Sequence, residues 1–369
     1  MRIKKVVCQN FRNIENCCIE LDDHINVILG MNAQGKTNFV ESIYFLSTTR
    51  SFRINKDQDL IMRDKLFARI EGIVESNGMN RKLGCVIHDK GKSCFISNQQ
   101  VPRTSEFIGK FNAILFAPSD LELFSSPPKI RRKMMDIEIG KIDMSYNYEL
   151  NKFNKLVKER NSLFKQNKMN ENYLDVIEQQ MADCQVKILK SRKNFISFIN
   201  MKLNNYYQQL AKERNEIQCV YDSMIDEDST KLEIVEKMKG SREKDMFLKT
   251  TSIGIHRDDL KFLIDGNELN SVASQGQRRM VILGLKLVFI DYVLEKTKEN
   301  PILLLDDVLS ELDPIRRKNL FKIIPEAVQT LITTTDLDNL IEDLSRLPKV
   351  WIMDHGRIRE RESLRYDEE

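Results

Sequence analysis

The feature that most constrains this chain is a change of texture at residue 30. Ile25-Asn26-Val27-Ile28-Leu29 is a short apolar run that reads as a buried strand. Phe39, Val40, Ile43 and Leu46 then recur at helical spacing. Between them stand Gly30-Met31-Asn32-Ala33-Gln34-Gly35-Lys36-Thr37, the string G-x-x-x-x-G-K-T, followed by Asn38. Strand, glycine loop and helix in that order commit the chain to an α/β fold and to a loop that cradles phosphate. Gly30 and Gly35 let the backbone curl so that successive N–H groups face phosphate oxygens, and the new helix adds its positive end. In such a loop Lys36 reaches the β- and γ-phosphates of a nucleoside triphosphate, and the Thr37 hydroxyl holds Mg²⁺.

Two distant segments answer to the loop. Pro301-Ile302-Leu303-Leu304-Leu305 is a continuous apolar run, as expected of a parallel strand covered on both faces, and it ends in Asp306-Asp307. Two acids there could cap the next helix. Paired with a phosphate loop, Asp306 is instead the natural Mg²⁺ partner, and Asp307 is placed to orient or deprotonate an attacking water. Leu312-Asp313 follows, with Pro314 able to start a helix. Upstream, Ser274-Gln275-Gly276-Gln277-Arg278-Arg279 opens a mostly apolar helix. Ser274 reads either as its N-cap or, with the helix end, as a ligand for a γ-phosphate.

Loop, S-x-G-Q signature, LLLDD strand and the following Leu-Asp resemble the ATPase heads of the ABC class, in its soluble DNA-repair branch. The finer match is to the RecF family of bacterial recombination and repair proteins. It rests on Asn10-Phe11-Arg12-Asn13, Asn32 to Asn38, Arg50-Ser51-Phe52-Arg53, Gly254-Ile255-His256-Arg257-Asp258-Asp259-Leu260, Ser274 to Arg279 and Leu305 to Asp313. The resemblance spans nearly the whole chain. It implies an ABC-type ATPase head, a mixed sheet with helices, carrying an inserted helical arm. It also implies an ATP-dependent homodimer that binds DNA and works with RecO and RecR to load RecA. ATP would be held by Gly30 to Asn38 of one copy, with Arg12 on phosphate in cis. Ser274, Gln275, Gly276, Gln277 and Asp313 of the other copy would cap it. Lys36, Asp306 and Asp307 would carry hydrolysis. Asp307 stands where most relatives in the wider class have Glu, and Thr335 where a switch histidine is common. Both departures point to slow turnover.

Composition narrows the class. The 369 residues suffice for about two domains, and 41% hydrophobic with 31% charged residues describes a soluble globular chain. No run approaches a membrane span, and Met1-Arg2-Ile3-Lys4-Lys5-Val6-Val7 reads as a strand, not a secretion signal. Seven scattered cysteines without C-x-x-C suggest a reduced cytoplasmic protein with no zinc site. Among four histidines only His256 has a suggestive setting, and a structural hydrogen bond suits it better than catalysis.

Along the chain, residues to about Gln99 alternate as strands: Arg2–Cys8, Cys17–Leu21, Ala68–Glu75, Arg81–His88 and Ser93–Ser97, with a turn at Asp89-Lys90-Gly91. After Pro127-Pro128 no proline appears until Pro301, and no glycine between Gly140 and Gly240. That texture predicts two long helices, Lys129–Gln166 and Glu171–Arg214, joined by a turn at Gln166-Asn167-Lys168-Met169-Asn170. The division expected is head 1–118, helical arm 119–250 and head 251–369. Val350 to Ile358 reads as a final hairpin, and the residues after it as a loose charged end.

The formal charge is only +3, but residues 129–214 hold 18 Lys and Arg against 10 Asp and Glu, a net +8. No acid lies between Cys184 and Lys212. Lys187, Lys190, Arg192 and Lys193, with Arg131, Arg132 and Lys133 as a second cluster, are candidates for neutralising DNA phosphates without reading sequence. Solvated faces of long helices give the same pattern. Two other functions use the same loop. A small-molecule phosphotransferase gives the signature helix and basic arm no purpose. A transporter-type ABC subunit would more often read LSGGQ.

Overall fold

A computed structural model describes residues 1–166 and 170–361. The chain divides into two compact units. One comprises Met1–Asp120, Gln209–Lys212 and the segment from Ile282 onward; the other comprises Leu121–Gln208 and Glu213–Val281.

The first unit holds two six-stranded sheets. One is antiparallel, built from Arg2–Phe11, Ile14–Glu20, Phe67–Ser76, Met79–His88, Gly91–Ile96 and Gln99–Gln100, so every strand read from the alternation is present. Val6, Cys8 and Asn10 alternate inward along its first strand after a register shift between Ile3 and Lys5, and Ala68, Ile70, Gly72 and Val74 do so along the third. The other sheet runs Arg357–Glu360, Lys349–Asp354, Ile25–Leu29, Thr330–Thr334, Ile302–Asp306, Ala113–Phe116. Its last five strands are mutually parallel, and the final hairpin is antiparallel. All five residues of Ile302–Asp306 and of Thr330–Thr334 are buried, as a parallel sheet covered on both faces requires. The helix Lys36–Thr48 packs Phe39, Val40, Ile43, Phe45 and Leu46 into a core shared by both sheets.

The second unit corrects the sequence reading in four respects. The first long helix is two, Pro128–Gly140 and Met144–Lys165. The break falls where Asn147 donates its amide to the Gly140 carbonyl at 2.5 Å, a site where a Cβ on Gly140 would lie 2.3 Å from Asn147 Oδ1. Asp143 then caps the next helix by accepting from Tyr146 N–H at 3.1 Å. The second helix ends at Ala211 instead of Arg214, because Lys212 takes a left-handed φ of 57°. The unit is not all helical: Ile217–Asp222, Asp259–Ile264 and Asn267–Glu268 form an antiparallel sheet. It also runs from Leu121 to Val281, whereas the arm was expected to close at 250. Of the expected turn at 166–170, residues 167–169 lie outside the described residues, as does the charged end after 361. Among the described residues no helix is long and apolar enough to cross a membrane.

Candidate nucleotide site

The phosphate loop emerges from Ile25–Leu29 and enters the helix Lys36–Thr48, as the strand and helix patterns predicted. Its two glycines are required. A Cβ on Gly30 would lie 2.4 Å from the Met353 carbonyl oxygen, and Gly35 has φ 115° with Asn13 pressed against its open side. Lys36 is buried, and its ammonium donates to the carbonyls of Gly30 at 2.5 Å and Met31 at 3.1 Å. Burial lowers its pKa, opposed by the charges of Asp307 and Asp306. Met31, Asn32 and Ala33 form the exposed rim of the loop.

Both carboxylates arrive at the end of one strand, one removed from the loop strand. Ile302–Asp306 lies beside Thr330–Thr334, which lies beside the loop strand. Asp306 is nearly fully buried, and one of its oxygens accepts from Thr37 Oγ1 at 3.1 Å and from Thr333 Oγ1 at 2.8 Å. Burial raises its pKa, while the two hydroxyls hold it down. Asp307 has a left-handed φ of 52°, and its N–H donates to Thr333 Oγ1 at 2.9 Å. Hydroxyl and carboxylate therefore face each other at the carboxyl ends of parallel strands, where α/β sheets take ligands. These groups fit Mg²⁺ and a triphosphate: an oxygen pair of Thr37 and Asp306, a lysine, and loop glycines whose Cβ atoms would obstruct the backbone.

Behind the loop lies a layer of supporting contacts whose pairing the sequence reading did not give. Asn13, at the tip of the first hairpin, donates to the Gln34 carbonyl at 3.1 Å and accepts from Asn38 at 2.8 Å. From the last hairpin, His355 N–H donates to Gln34 Oε1 at 2.6 Å and Gly356 N–H to the Gln34 carbonyl at 2.8 Å. Gly356 has φ 78°, and a Cβ there would sit 2.0 Å from the Asn13 carbonyl oxygen. Glu41, wholly buried in the loop helix, accepts from Arg12 Nε at 2.9 Å and Nη2 at 3.2 Å, and from Ser51 Oγ. Arg12 also donates to the Asp59 carbonyl at 3.1 Å, so three of its five N–H groups are engaged away from the loop. Arg53 donates to Asn38 at 2.8 Å. Asn13, Asn38, Ser51 and Arg53 stand within the motifs read in the sequence, whereas Glu41, His355 and Gly356 carried no signal there, because a hairpin tip or a buried helix position reveals no partner in sequence.

Ser274 is exposed and caps the helix Gln275–Thr297 reciprocally: its hydroxyl accepts from Gln277 N–H at 3.1 Å, and its N–H donates to Gln277 Oε1 at 3.0 Å. The capping reading is thus present in the structure. Gly276 is half-buried and Gln275 exposed. Ser274 to Gln277 belong to the second unit, whereas the loop and both carboxylates belong to the first. Asp313 caps Pro314–Ile323 by accepting from Arg316 N–H at 2.9 Å.

The basic candidates separate sharply. Arg192 is wholly buried and cannot touch DNA in this fold. Its guanidinium binds Tyr146, Tyr221, Asp136, Asp258 and the Ile255 carbonyl. Arg131 forks onto Asp259 through two 2.8 Å bonds and caps the carbonyls of Leu123, Phe124 and Ser126. Arg132 donates to the Asp258 carbonyl. These three were read as surface charge because sequence cannot separate a cation on the buried face of a helix from one on the wet face. Lys187 pairs with Glu149, Lys193 with Asp228 and Glu227, Lys133 is half-buried, and Lys190 is exposed. His256 is structural: its Nε2 lies 3.1 Å from the Thr251 carbonyl and so carries the proton.

The RecF/RecN/SMC N-terminal domain model matches residues 2–359. The DNA replication and repair protein RecF of Ligilactobacillus salivarius is 35% identical over 379 residues, covering all of both chains. The chain belongs to the RecF family. RecF of Streptococcus suis is 37% identical over 369 residues, covering 98% of this chain and 100% of that one. A structure of the recombination mediator protein RecF with ATP, in the RecFOR pathway, superposes with a TM-score of 0.89 at 29% identity, covering 98% of each chain. An SMC head bound to the C-winged helix domain of ScpA superposes at 0.56 with 14% identity, covering 98% of this chain and 97% of that one, a likeness of fold alone. The expected ABC-type head with a helical insertion is therefore the observed fold, and the RecF family of DNA replication and repair proteins is the class to which the chain belongs.

Proposed function

We propose that the chain is a DNA-repair ATPase in which bound ATP joins two copies around DNA. The observation that carries the reading is the meeting of Lys36, Thr37, Asp306 and Asp307 at the carboxyl ends of two parallel strands that flank Thr330–Thr334. ATP is held by the loop Gly30 to Asn38, with Lys36 on its terminal phosphates. Thr37 and Asp306 hold Mg²⁺, which when bound offsets phosphate charge. Asp307 orients the attacking water. Any role of Arg12 toward phosphate falls to the two N–H groups that Glu41 and Asp59 leave.

Ser274 to Gln277 and Asp313 of a second copy cap the nucleotide, so dimerisation reads the nucleotide state. The exposed position of Ser274 at a helix N-terminus supports that role. Turnover is slow, since Asp307 and Thr335 replace the residues usual in faster relatives. Lys190, with Lys187 and Lys193 once released from their carboxylates, contacts DNA phosphates without sequence preference. The protein works in the cytoplasm with RecO and RecR to load RecA.

Light-scattering mass with and without ATP and a short duplex tests this reading, using Lys36→Met and Ser274→Arg alongside the parent chain. The expected result is an ATP-dependent dimer that holds DNA and is lost in either variant. A parent that stays monomeric with ATP and DNA removes the shared site.

A further inference from the structure

Thr333 lies in the middle of the buried strand Thr330–Thr334, a place where valine or isoleucine would satisfy a parallel sheet. It is 1% exposed. Its register sets it directly beside Asp306 on one side and Ile28, two residues before the phosphate loop, on the other. A single hydroxyl makes both of its bonds toward the acid pair: it donates to Asp306 Oδ1 at 2.8 Å and accepts the Asp307 N–H at 2.9 Å. The second bond holds a residue with a left-handed φ of 52°, a conformation that costs most side chains and that Asp tolerates better than most. Thr37 reaches the same Asp306 oxygen at 3.1 Å, so two threonines grip one carboxylate, one from the first turn of the loop helix and one from the adjoining strand.

We propose that Thr333 is a positioning residue that sets both acids at once, fixing the Asp306 carboxylate for the metal and pinning Asp307 in its left-handed turn. The inference rests on the nucleotide reading above. The hydroxyl proton has one destination, Asp306, because the Asp307 N–H can only donate. The orientation of the metal carboxylate and the backbone conformation of the water-orienting acid are therefore tied through one oxygen atom. Valine keeps the shape and β-branching of threonine but removes both bonds. Serine keeps the hydroxyl and loses a methyl group.

The experiment compares the parent, Thr333→Val and Thr333→Ser with a fluorescent ATP analogue. Binding is measured in EDTA and across a Mg²⁺ titration, and hydrolysis is measured separately. Thr333→Val is expected to bind nucleotide in EDTA as the parent does. It needs about tenfold more Mg²⁺ for half-saturation, the scale of one lost bond to a charged group, and its kcat falls by more than its KM changes. Thr333→Ser is expected to return both quantities to within about threefold of the parent. Parent-like Mg²⁺ demand and kcat in Thr333→Val overturn the proposal. A Thr333→Ser as impaired as Thr333→Val also overturns it, since strand packing rather than the hydroxyl would then matter. A parent without Mg²⁺-dependent nucleotide binding removes the nucleotide reading itself, a different result from either.

Discussion

Arg192→Leu separates the two readings of a basic helix most cleanly. The guanidinium is 1% exposed and donates to Tyr146 Oη at 3.0 Å, Tyr221 Oη at 3.0 Å, the Ile255 carbonyl at 3.0 Å, Asp258 Oδ2 at 3.4 Å and Asp136 Oδ1 at 2.9 Å. Burial alone would favour the neutral form. Tyr146, Asp136 and Tyr221 reverse that and hold the pKa well above the ordinary arginine value. Leucine fills most of the space but removes the cation from Asp258, whose buried carboxylate keeps only the hydroxyls of Tyr221 and Ser223, and from Asp136. Breaking a buried ion pair from one side costs about 3–5 kcal/mol. In a unit of this size each kcal/mol moves the melting point by about 2–4 °C, so a fall of roughly 6–20 °C is expected. Calorimetry on the full chain reads it, with Lys190→Leu as the matched control. That control makes the same chemical change two positions away on an exposed site, and stays within about 0.5 kcal/mol of the parent. If the two variants melt within about 2 °C of each other, the buried network contributes nothing and the argument for removing Arg192 from the DNA surface fails.

Three further outcomes follow from the geometry. Burial depresses the His256 pKa to about 4 from an ordinary 6.5, so the unfolded chain binds the extra proton first. Its stabilising contribution is complete above about pH 6.5 and lost as pH falls to about 4, a span worth about 3 kcal/mol. Urea unfolding across that window should flatten in His256→Gln, and an unchanged slope counts against the assignment. Gly356→Ala forces a methyl group against the Asn13 carbonyl at a φ of 78°, and should weaken nucleotide binding by loosening Gln34; equal affinity in parent and variant by calorimetry would show that this contact is dispensable. Asp306→Asn removes the charge between Thr37 and Thr333, and should abolish the Mg²⁺ dependence of nucleotide binding while leaving a melting point near the parent's. Retained Mg²⁺ dependence would place the metal elsewhere.

What could be read in advance was whatever repeats or punctuates. The strand alternation from Arg2 to His88 came through because one face of that sheet is wet and the other dry. The phosphate loop and the carboxylate strand came through because their chemistry restricts residue type at fixed spacing. The sheet Ile217–Asp222 with Asp259–Ile264 did not, because its strands are short and one interrupts a region free of proline and glycine. Buried arginines were misplaced for a related reason. A cation reads as surface until the acids that neutralise it, such as Asp258 for Arg192, arrive from 66 residues away. The cysteines looked scattered, yet sheet register sets Cys8 opposite Cys17 and Cys85 opposite Cys94, the latter pair with sulfurs 3.1 Å apart. Pairings of that kind are a property of register, which no single strand reveals.

The loop strand Ile25–Leu29 has as its two neighbours Thr330–Thr334 and Lys349–Asp354, and the loop it feeds is held at Gln34 by His355 and Gly356. A ribosome makes the loop early and its walls last. At about 5–20 residues per second, the glycines wait roughly 15–65 s for the strands that will flank them. During that interval the nascent chain carries a nucleotide motif without the sheet that shapes it. The order of strands leaves the glycine loop without either flanking strand until Thr330–Thr334 and Lys349–Asp354 have been made.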